Sequence, residues 1–138
     1  MNVTIRHTDD LAACYALRHA VFVEEQGVPV AEEIDALDPE CLHLLAEAGG
    51  RPVGTARIHF SGETAKIGRV CVLPAHRGTG LGRALIAAAL EAARGRARQA
   101  RLGAQTEALG FYEKLGFTAE GPVYDDAGIA HRDMVRAL

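Results

Sequence analysis

The stretch VCVLPAHRGTGLGRAL, residues 70–85, decides the fold. It begins as an apolar run that ends at Pro74, continues as a glycine-rich loop, and shows apolar residues at helical spacing from Leu81 onward. Loop N–H groups and the unpaired N–H groups of a first helical turn point the same way, and glycines let an anion approach them closely. A strand, a glycine loop and a helix in this order predict a phosphate-binding site, to which Arg77 and Arg83 add positive charge.

Two common phosphate-binding fingerprints do not fit this loop. The dinucleotide pattern G-x-G-x-x-G needs a third glycine where the chain has Arg83 or Leu85. The P-loop pattern G-x-x-x-x-G-K-[ST] needs its second glycine at the position of Arg83. The loop is therefore expected to hold a different phosphate ligand, and a simple helix-capping turn is the alternative.

The whole chain predicts one mixed α/β domain over residues 1–138. Apolar patterning predicts strands over residues 3–6, 43–48, 53–60, 65–73, 100–104, 118–124 and 131–135. Helical spacing predicts helices over residues 11–22, 81–92 and 107–115. The resulting order is β-α-β-β-β-α-β-α-β-β.

The glycine loop also fits a motif of a known family. Arg77, Gly80 and Gly82 form R-x-x-G-x-G, which resembles the acyl-CoA pyrophosphate loop of the GNAT superfamily of N-acetyltransferases. The segment QTEALGFYEKLGF, residues 105–117, is similar to the N-x6-Y-x3-GF segment that follows in GNAT chains, with Tyr112 at the tyrosine position.

Further segments resemble one branch of that superfamily. VFVEEQGVP at residues 21–29 and GIAHRDM at residues 128–134 look like the small ElaA-like or YjcF-like branch. Gln105 stands where asparagine is commoner in the superfamily.

The resemblance implies the GNAT fold, in which a central pair of parallel strands splays apart and acetyl-CoA lies in the gap. The residues that it assigns to acetyl-CoA are Val70, Cys71, Val72, Arg77, Gly78, Thr79, Gly80, Leu81, Gly82, Arg83, Gln105, Phe111 and Lys114. A backbone N–H of Cys71 or Val72 would hold the thioester oxygen, and Tyr112 would protonate the departing thiolate. Phe111 and Lys114 fit equally well as a core residue and a surface residue.

The implied reaction is direct transfer of the acetyl group, in a ternary complex, to the primary amine of a small molecule. Residues 24–40 contain seven acidic residues and no lysine or arginine, and this region borders the acceptor cleft in GNAT folds. An acidic surface there would favour cationic amines. The residues expected to contact the acceptor are Glu25, Asp38, His43 and His131. The general base stays open among these four residues, Glu24, Asp35 and a bound water.

Other functions are less well supported by the sequence. Cys41 and His43, with Cys71 at the acyl site, would allow a covalent acyl-cysteine mechanism, although a free cysteine is more often a small buried hydrophobe. A sensor or interaction module that binds CoA without turnover is compatible with the same loop. Neither a metal nor a nucleic acid is expected, because the histidines lack ligand spacing and the basic run at residues 94–101 has no interleaved aromatics.

Composition and length favour a globular protein of the cytoplasm. The chain has a net charge of −3, and it has neither an 18-residue apolar run nor an apolar leader, so no membrane association is expected. Three cysteines without a C-x-x-C pair predict reduced thiols. Because GNAT proteins are often dimers, the resemblance is compatible with a homodimer.

Overall fold

Seven strands form one sheet in the order β1-β2-β3-β4-β5-β7-β6 in the computed structural model, which describes residues 2–138. The strands are β1 (Val3–Thr8), β2 (Leu42–Ala48), β3 (Arg51–Ser61), β4 (Thr64–Val72), β5 (Gln99–Gln105), β6 (Thr118–Asp126) and β7 (Ile129–Ala137). Neighbouring strands are antiparallel except β4 and β5, which run parallel.

Helices cover both faces of this sheet. The α-helices are α1 (Leu11–Arg18), α2 (Val30–Glu33), α3 (Leu81–Ala93) and α4 (Leu109–Glu113). Leu85 of α3 packs in one core cluster with Leu44, and Leu17 of α1 packs in another with Leu45. Since successive side chains of a strand point to opposite faces, α3 and α1 lie on opposite sides of β2. The predicted order of strands and main helices is confirmed. The acidic segment, residues 24–40, adds α2 and a 3₁₀ turn at Asp38–Glu40.

The first helix differs from the prediction of one α-helix through Phe22. α1 ends at Arg18 and continues as a π-helix over His19–Glu25, in which the Gln26 N–H donates to the Val21 carbonyl at 3.0 Å. Apolar spacing does not distinguish this bonding pattern from that of an α-helix, so the sequence could not show the change. The π-helix ends next to Gln26, which lines the cleft between β4 and β5. Single π-helical turns are frequent at functional sites.

β4 and β5 pair over only three residues before they part. Residues 64–66 lie opposite residues 99–101, and the register ends there. β4 also carries an irregularity against β3, where Arg69 has a φ of 52°. A bulge of this kind bends its strand. The facing edges of residues 67–72 and 102–105 are therefore left apart, which confirms the expected splayed pair of parallel strands.

A buried cluster of ion pairs anchors the acidic segment to the sheet. Arg18 contacts Glu33 at 2.8 Å and Asp38 at 2.7 Å, and Arg57 of β3 donates a 2.8 Å hydrogen bond to Asp38. Asp38 is 0% exposed. Burial opposes its ionisation, but hydrogen bonds from Arg18 and Arg57 outweigh that effect and lower the pKa of Asp38 to about 2. Asp38 is therefore a structural residue, and the expectation that it contacts the acceptor is wrong.

Replacing Asp38 with Asn should lower the free energy of unfolding by about 3 kcal/mol at neutral pH, because two buried arginines lose a shared carboxylate. The pKa of Asp38 is lower in the folded protein than in the unfolded chain, so its contribution is present above the unfolded pKa and lost as pH falls toward 2. Urea unfolding of Asp38→Asn and the parent should therefore converge in stability between about pH 4 and pH 2. Glu40→Gln, an exposed change in the same turn, is the matched control and should shift stability by less than about 0.5 kcal/mol. Equal stability of Asp38→Asn and the parent at neutral pH would contradict this account.

Candidate active site

A cleft of about 550 Å³ opens where β4 and β5 part, beside the π-helix. Its walls come from the π-helix and the acidic segment, from β3 and β4, from β5 and α4, and from β6 and β7. Its charged, amide, imidazole and phenol side chains belong to Gln26, Glu32, Glu33, Asp35, Arg57, His59, Lys66, Arg69, Gln105, Tyr112, Tyr124, Asp126 and His131. The cleft therefore brings together Gln105, Tyr112 and His131, three of the residues singled out from the sequence.

The glycine loop forms an open cradle at the start of α3. Gly78 and Gly80 have φ values of 74° and 86°, in the left-handed region that favours glycine, and no atom lies within 4 Å of where their Cβ atoms would stand. The Thr79 hydroxyl donates to the His76 carbonyl at 2.7 Å and closes the turn. The first N–H groups of α3 follow directly, so backbone donors face an unobstructed space at a helix N-terminus. Leu81 is buried in the core, which leaves only its backbone available there.

Arg77 anchors this loop rather than presenting a free charge. Its Nε donates to the Val72 carbonyl at 3.0 Å, and its two terminal nitrogens donate to the carboxylate of Glu25 at 2.6 and 2.7 Å. The hydrogen bond from Arg77 lowers the pKa of Glu25. Glu25 is thus a partner of the glycine loop, and it is not among the residues that line the cleft. Its expected contact with the acceptor stays a prediction. Arg83 remains an exposed cation on the first turn of α3.

Phe111 and Lys114 flank the loop differently. The tip of the Phe111 ring lies 3.8 Å from the point where a Cβ on Gly82 would stand, and the residue is 41% exposed. Phe111 therefore borders the loop and is not a core residue. Lys114 is exposed, and within residues 2–138 it forms no ion pair.

The edge of β4 turns one backbone N–H toward the gap. The Leu73 N–H donates to Val53 of β3 at 2.9 Å, and N–H groups alternate in direction along a strand. The Val72 N–H therefore points away from β3, toward the space between β4 and β5, whereas the Cys71 N–H points to β3. Of the two donors expected for the thioester oxygen, Val72 has the suitable direction.

The Cys71 side chain does not face the cleft. It is 5% exposed and packs with Cys14, Leu17, Val21 and Leu45 against α1. Burial raises the pKa of the Cys71 thiol to about 12, which keeps it protonated and unreactive. Burial also raises the pKa of the Cys41 thiol. Neither cysteine is therefore suited to the acyl-cysteine mechanism.

Tyr112 combines a packed ring with a phenol at the cleft. The ring meets Phe111 and Phe117 edge to face, with centroid distances of 5.0 and 5.9 Å. Burial raises the pKa of Tyr112 above its ordinary value, so the phenol keeps its proton at neutral pH. Tyr112 can therefore donate a proton into the cleft.

A hydrogen bond between two amides bridges the cleft. The Gln105 side chain, at the end of β5, donates to the Gln26 side chain at 3.1 Å. Gln26 follows Glu25, which pairs with Arg77. The end of the π-helix therefore contacts both the glycine loop and β5. Sequence analysis missed Gln26, since nothing in local spacing relates residues so far apart in the chain.

The acidic segment does not form an open acidic surface at the cleft. Glu33 and Asp35 pair with Arg69 and Arg57 at 2.7 and 2.9 Å. Burial opposes the ionisation of Asp35, but the hydrogen bond from Arg57 lowers its pKa, so its carboxylate is a poor base. The expected acidic acceptor surface is therefore largely neutralised by arginines that are distant in sequence.

His43 is also structural. It is 3% exposed, and its Nε2 lies 2.8 Å from the Asp38 carbonyl. The expectation that it contacts the acceptor is wrong, because the residue is buried and is not among those that line the cleft. His59 and Lys66, which the sequence analysis missed, lie in the lining instead. Both alternate with buried apolar residues along their strands, and that period-two pattern could have placed them on the cleft face.

Within residues 2–138, no group of three or more histidine, cysteine, aspartate or glutamate side chains is arranged to hold a metal ion. In the same range, no helix has both the length and the apolar character needed to cross a membrane.

Comparison with known proteins identifies the family of the chain. Residues 9–138 match the family model described as acetyltransferase (GNAT) domain. YjcF of Bacillus subtilis (strain 168), an uncharacterised N-acetyltransferase, is 39% identical over 137 residues that span 97% of each chain. The crystal structure of Escherichia coli ElaA superposes with a TM-score of 0.85 at 33% identity and covers 98% of both chains. An acyl-CoA N-acyltransferase from Pseudomonas aeruginosa superposes with a TM-score of 0.86 at 33% identity over 99% of this chain and 100% of that one.

These relatives span nearly the whole chain and include the ElaA and YjcF proteins whose branch the sequence resembles. The chain therefore belongs to the GNAT acetyltransferase family, and it is an acyl-CoA-dependent acyltransferase.

Proposed function

We propose that this protein transfers the acetyl group of acetyl-CoA directly to the primary amine of a small molecule, within a ternary complex. The observation that carries this proposal is the cleft at the β4–β5 gap, which Tyr112 lines, together with the open glycine loop that follows β4. A cleft of about 550 Å³ falls within the ordinary range for small-molecule sites, which supports a small acceptor.

Each part of the cleft has a role in the reaction. The backbone N–H groups from Gly78 to Gly82 bind the pyrophosphate, and Arg77 fixes the loop through Glu25 and the Val72 carbonyl. The pantetheine arm lies along the open edge of β4 and reaches Gln105. The Val72 N–H stabilises the oxyanion that forms when the amine attacks the thioester carbonyl. Tyr112 then donates its proton to the departing thiolate.

The charge of the acceptor is not selected by the acidic segment. Arg18, Arg57 and Arg69 neutralise its three innermost carboxylates, so no large excess of negative charge remains at the cleft. The amine is therefore recognised by its shape and its nucleophilic nitrogen more than by a positive charge.

Tyr112→Phe should reduce kcat by about 100-fold or more, because a general acid typically contributes at least that much. The ring packing stays, so the dissociation constant for acetyl-CoA should not change. Amine-dependent thiol release over a panel of primary amines measures kcat, and calorimetry measures affinity. Tyr15→Phe, outside the cleft lining, is the control and should behave as the parent.

A Tyr112→Phe variant with the parent's kcat would remove Tyr112 from the acid role. Acetyl-CoA binding by the parent without thiol release for any amine would instead favour the sensor or interaction module.

Gly80→Val should weaken acetyl-CoA binding by about tenfold or more, which corresponds to 1.4 kcal/mol. A branched side chain at a φ of 86° strains the loop and covers the N–H groups that the pyrophosphate needs. Gly62→Val is the matched control, since Gly62 also has positive φ and open space but lies in the turn between β3 and β4. If calorimetry shows the same affinity for folded Gly80→Val as for Gly62→Val, the loop is not the pyrophosphate site.

A further inference from the structure

We infer that His131 is the general base of the reaction, with Nε2 as the atom that accepts the proton of the attacking amine. This inference rests on the proposed function and names the group that removes the proton. His131 lies half-buried near the start of β7 and belongs to the cleft lining together with Tyr112 and Val70.

The protonation of the His131 ring follows from its backbone contact. Nδ1 lies 2.7 Å from the Ile129 carbonyl oxygen. A carbonyl oxygen only accepts, so Nδ1 must carry the hydrogen. In the neutral ring the lone pair is then on Nε2. No group of residues 2–138 forms a hydrogen bond with Nε2, and the atom is not closed off from solvent.

Tyr124 fixes the position of the His131 ring. The two rings are stacked, with centroids 6.0 Å apart and planes 23° from parallel. The Tyr124 hydroxyl donates to Asp133 at 2.7 Å. Burial, followed by the hydrogen bond to Asp133, raises the pKa of Tyr124 to about 12, so it remains a proton donor to that carboxylate at neutral pH.

Two features of the backbone place Tyr124 there. β6 is irregular against β7, since the register moves from Glu120 opposite Asp133 to Tyr124 opposite His131, which leaves extra residues in β6. Such bulges re-aim side chains and are frequent next to active sites. Gly103 of β5 provides the space, because a Cβ there would lie 2.5 Å from the Tyr124 hydroxyl oxygen.

The other side chains that the sequence leaves open as the base are paired, buried or outside the cleft lining. Glu25 pairs with Arg77, Asp38 and Asp35 pair with arginines, and the His43 ring is buried. Glu24 contacts His19 on the π-helix and is absent from the cleft lining. His59 also lies in the cleft lining, but no hydrogen bond within residues 2–138 fixes which of its ring nitrogens carries the hydrogen.

Every proton of the transfer step is accounted for by His131, Tyr112 and solvent. The neutral amine forms the C–N bond as the C–S bond breaks. His131 Nε2 takes the proton from the amine nitrogen, and Tyr112 gives its proton to the thiolate of CoA. Solvent then removes the proton from His131 and returns one to Tyr112, so that an amide and CoA thiol are the net products.

His131→Asn tests this role without disturbing the contact to Ile129. The amide nitrogen of asparagine can replace Nδ1 as the donor, whereas Nε2 has no counterpart. We expect kcat to fall by about 100-fold or more at neutral pH, with an unchanged dissociation constant for acetyl-CoA. His7→Asn, an exposed change on β1 outside the cleft lining, is the control and should change kcat by less than about threefold.

The pH profile separates a base from a merely structural histidine. The ratio of parent kcat to His131→Asn kcat should rise with pH, since only the unprotonated ring can accept the proton of the amine. The titratable groups that face His131 are Tyr124 and Asp126 of β6 and Asp133 of β7, whereas β5 places the neutral Gln105 opposite it. A ratio that stays constant across pH, or an equal loss in His7→Asn, overturns the inference.

A rescue experiment tests Tyr124 as a positioning residue. Gly103→Ala should push the Tyr124 hydroxyl aside and reduce kcat by about tenfold, with unchanged acetyl-CoA affinity. Adding Tyr124→Phe to Gly103→Ala removes the clashing oxygen and should restore most of the loss, since the next ring atom lies 3.8 Å away. No rescue in the double variant would contradict the positioning role. Amine-dependent thiol release by the parent is the common reference, and its absence would refute the proposed function rather than the base.

Discussion

The active site depends on the point at which β4 and β5 stop pairing. Three residue pairs hold the two parallel strands together, and the irregularity at Arg69 then turns β4 away from its neighbour. Unpaired backbone groups at a strand edge need another partner. The gap therefore leaves backbone groups of β4 open to an extended ligand, and the glycine loop at the start of α3 follows directly on β4.

Three arginines neutralise the inner carboxylates of the acidic segment. Arg18, Arg57 and Arg69 come from α1, β3 and β4, and together they bind Glu33, Asp35 and Asp38. Charges that are separated along the sequence thus become a nearly neutral buried cluster. Its role is to fix the wall of the cleft, and it leaves the electrostatics of the acceptor site weaker than the composition of residues 24–40 suggests.

The two halves of the site are physically linked through the end of the π-helix. Glu25 pairs with Arg77 of the glycine loop, and Gln26 contacts Gln105 at the end of β5. On the opposite wall, Gly103 and the β6 bulge place Tyr124 against His131. The glycine loop and the His131 wall of the cleft are therefore each positioned by side chains from a different strand or helix.

The sequence by itself determined the order of the strands and helices, the glycine loop and Tyr112, because each of these depends on residue types at short, fixed spacing. The tertiary structure alone decided which acidic residues are paired with arginines and which histidines line the cleft. It also decided which backbone N–H groups of β4 point away from β3. Asp38 and His43 were expected at the acceptor and are buried, whereas His59, Gln26 and Tyr124 line the cleft. The physical reason is that ion pairing, burial and strand register join residues that are far apart in the chain, and no local pattern records such contacts.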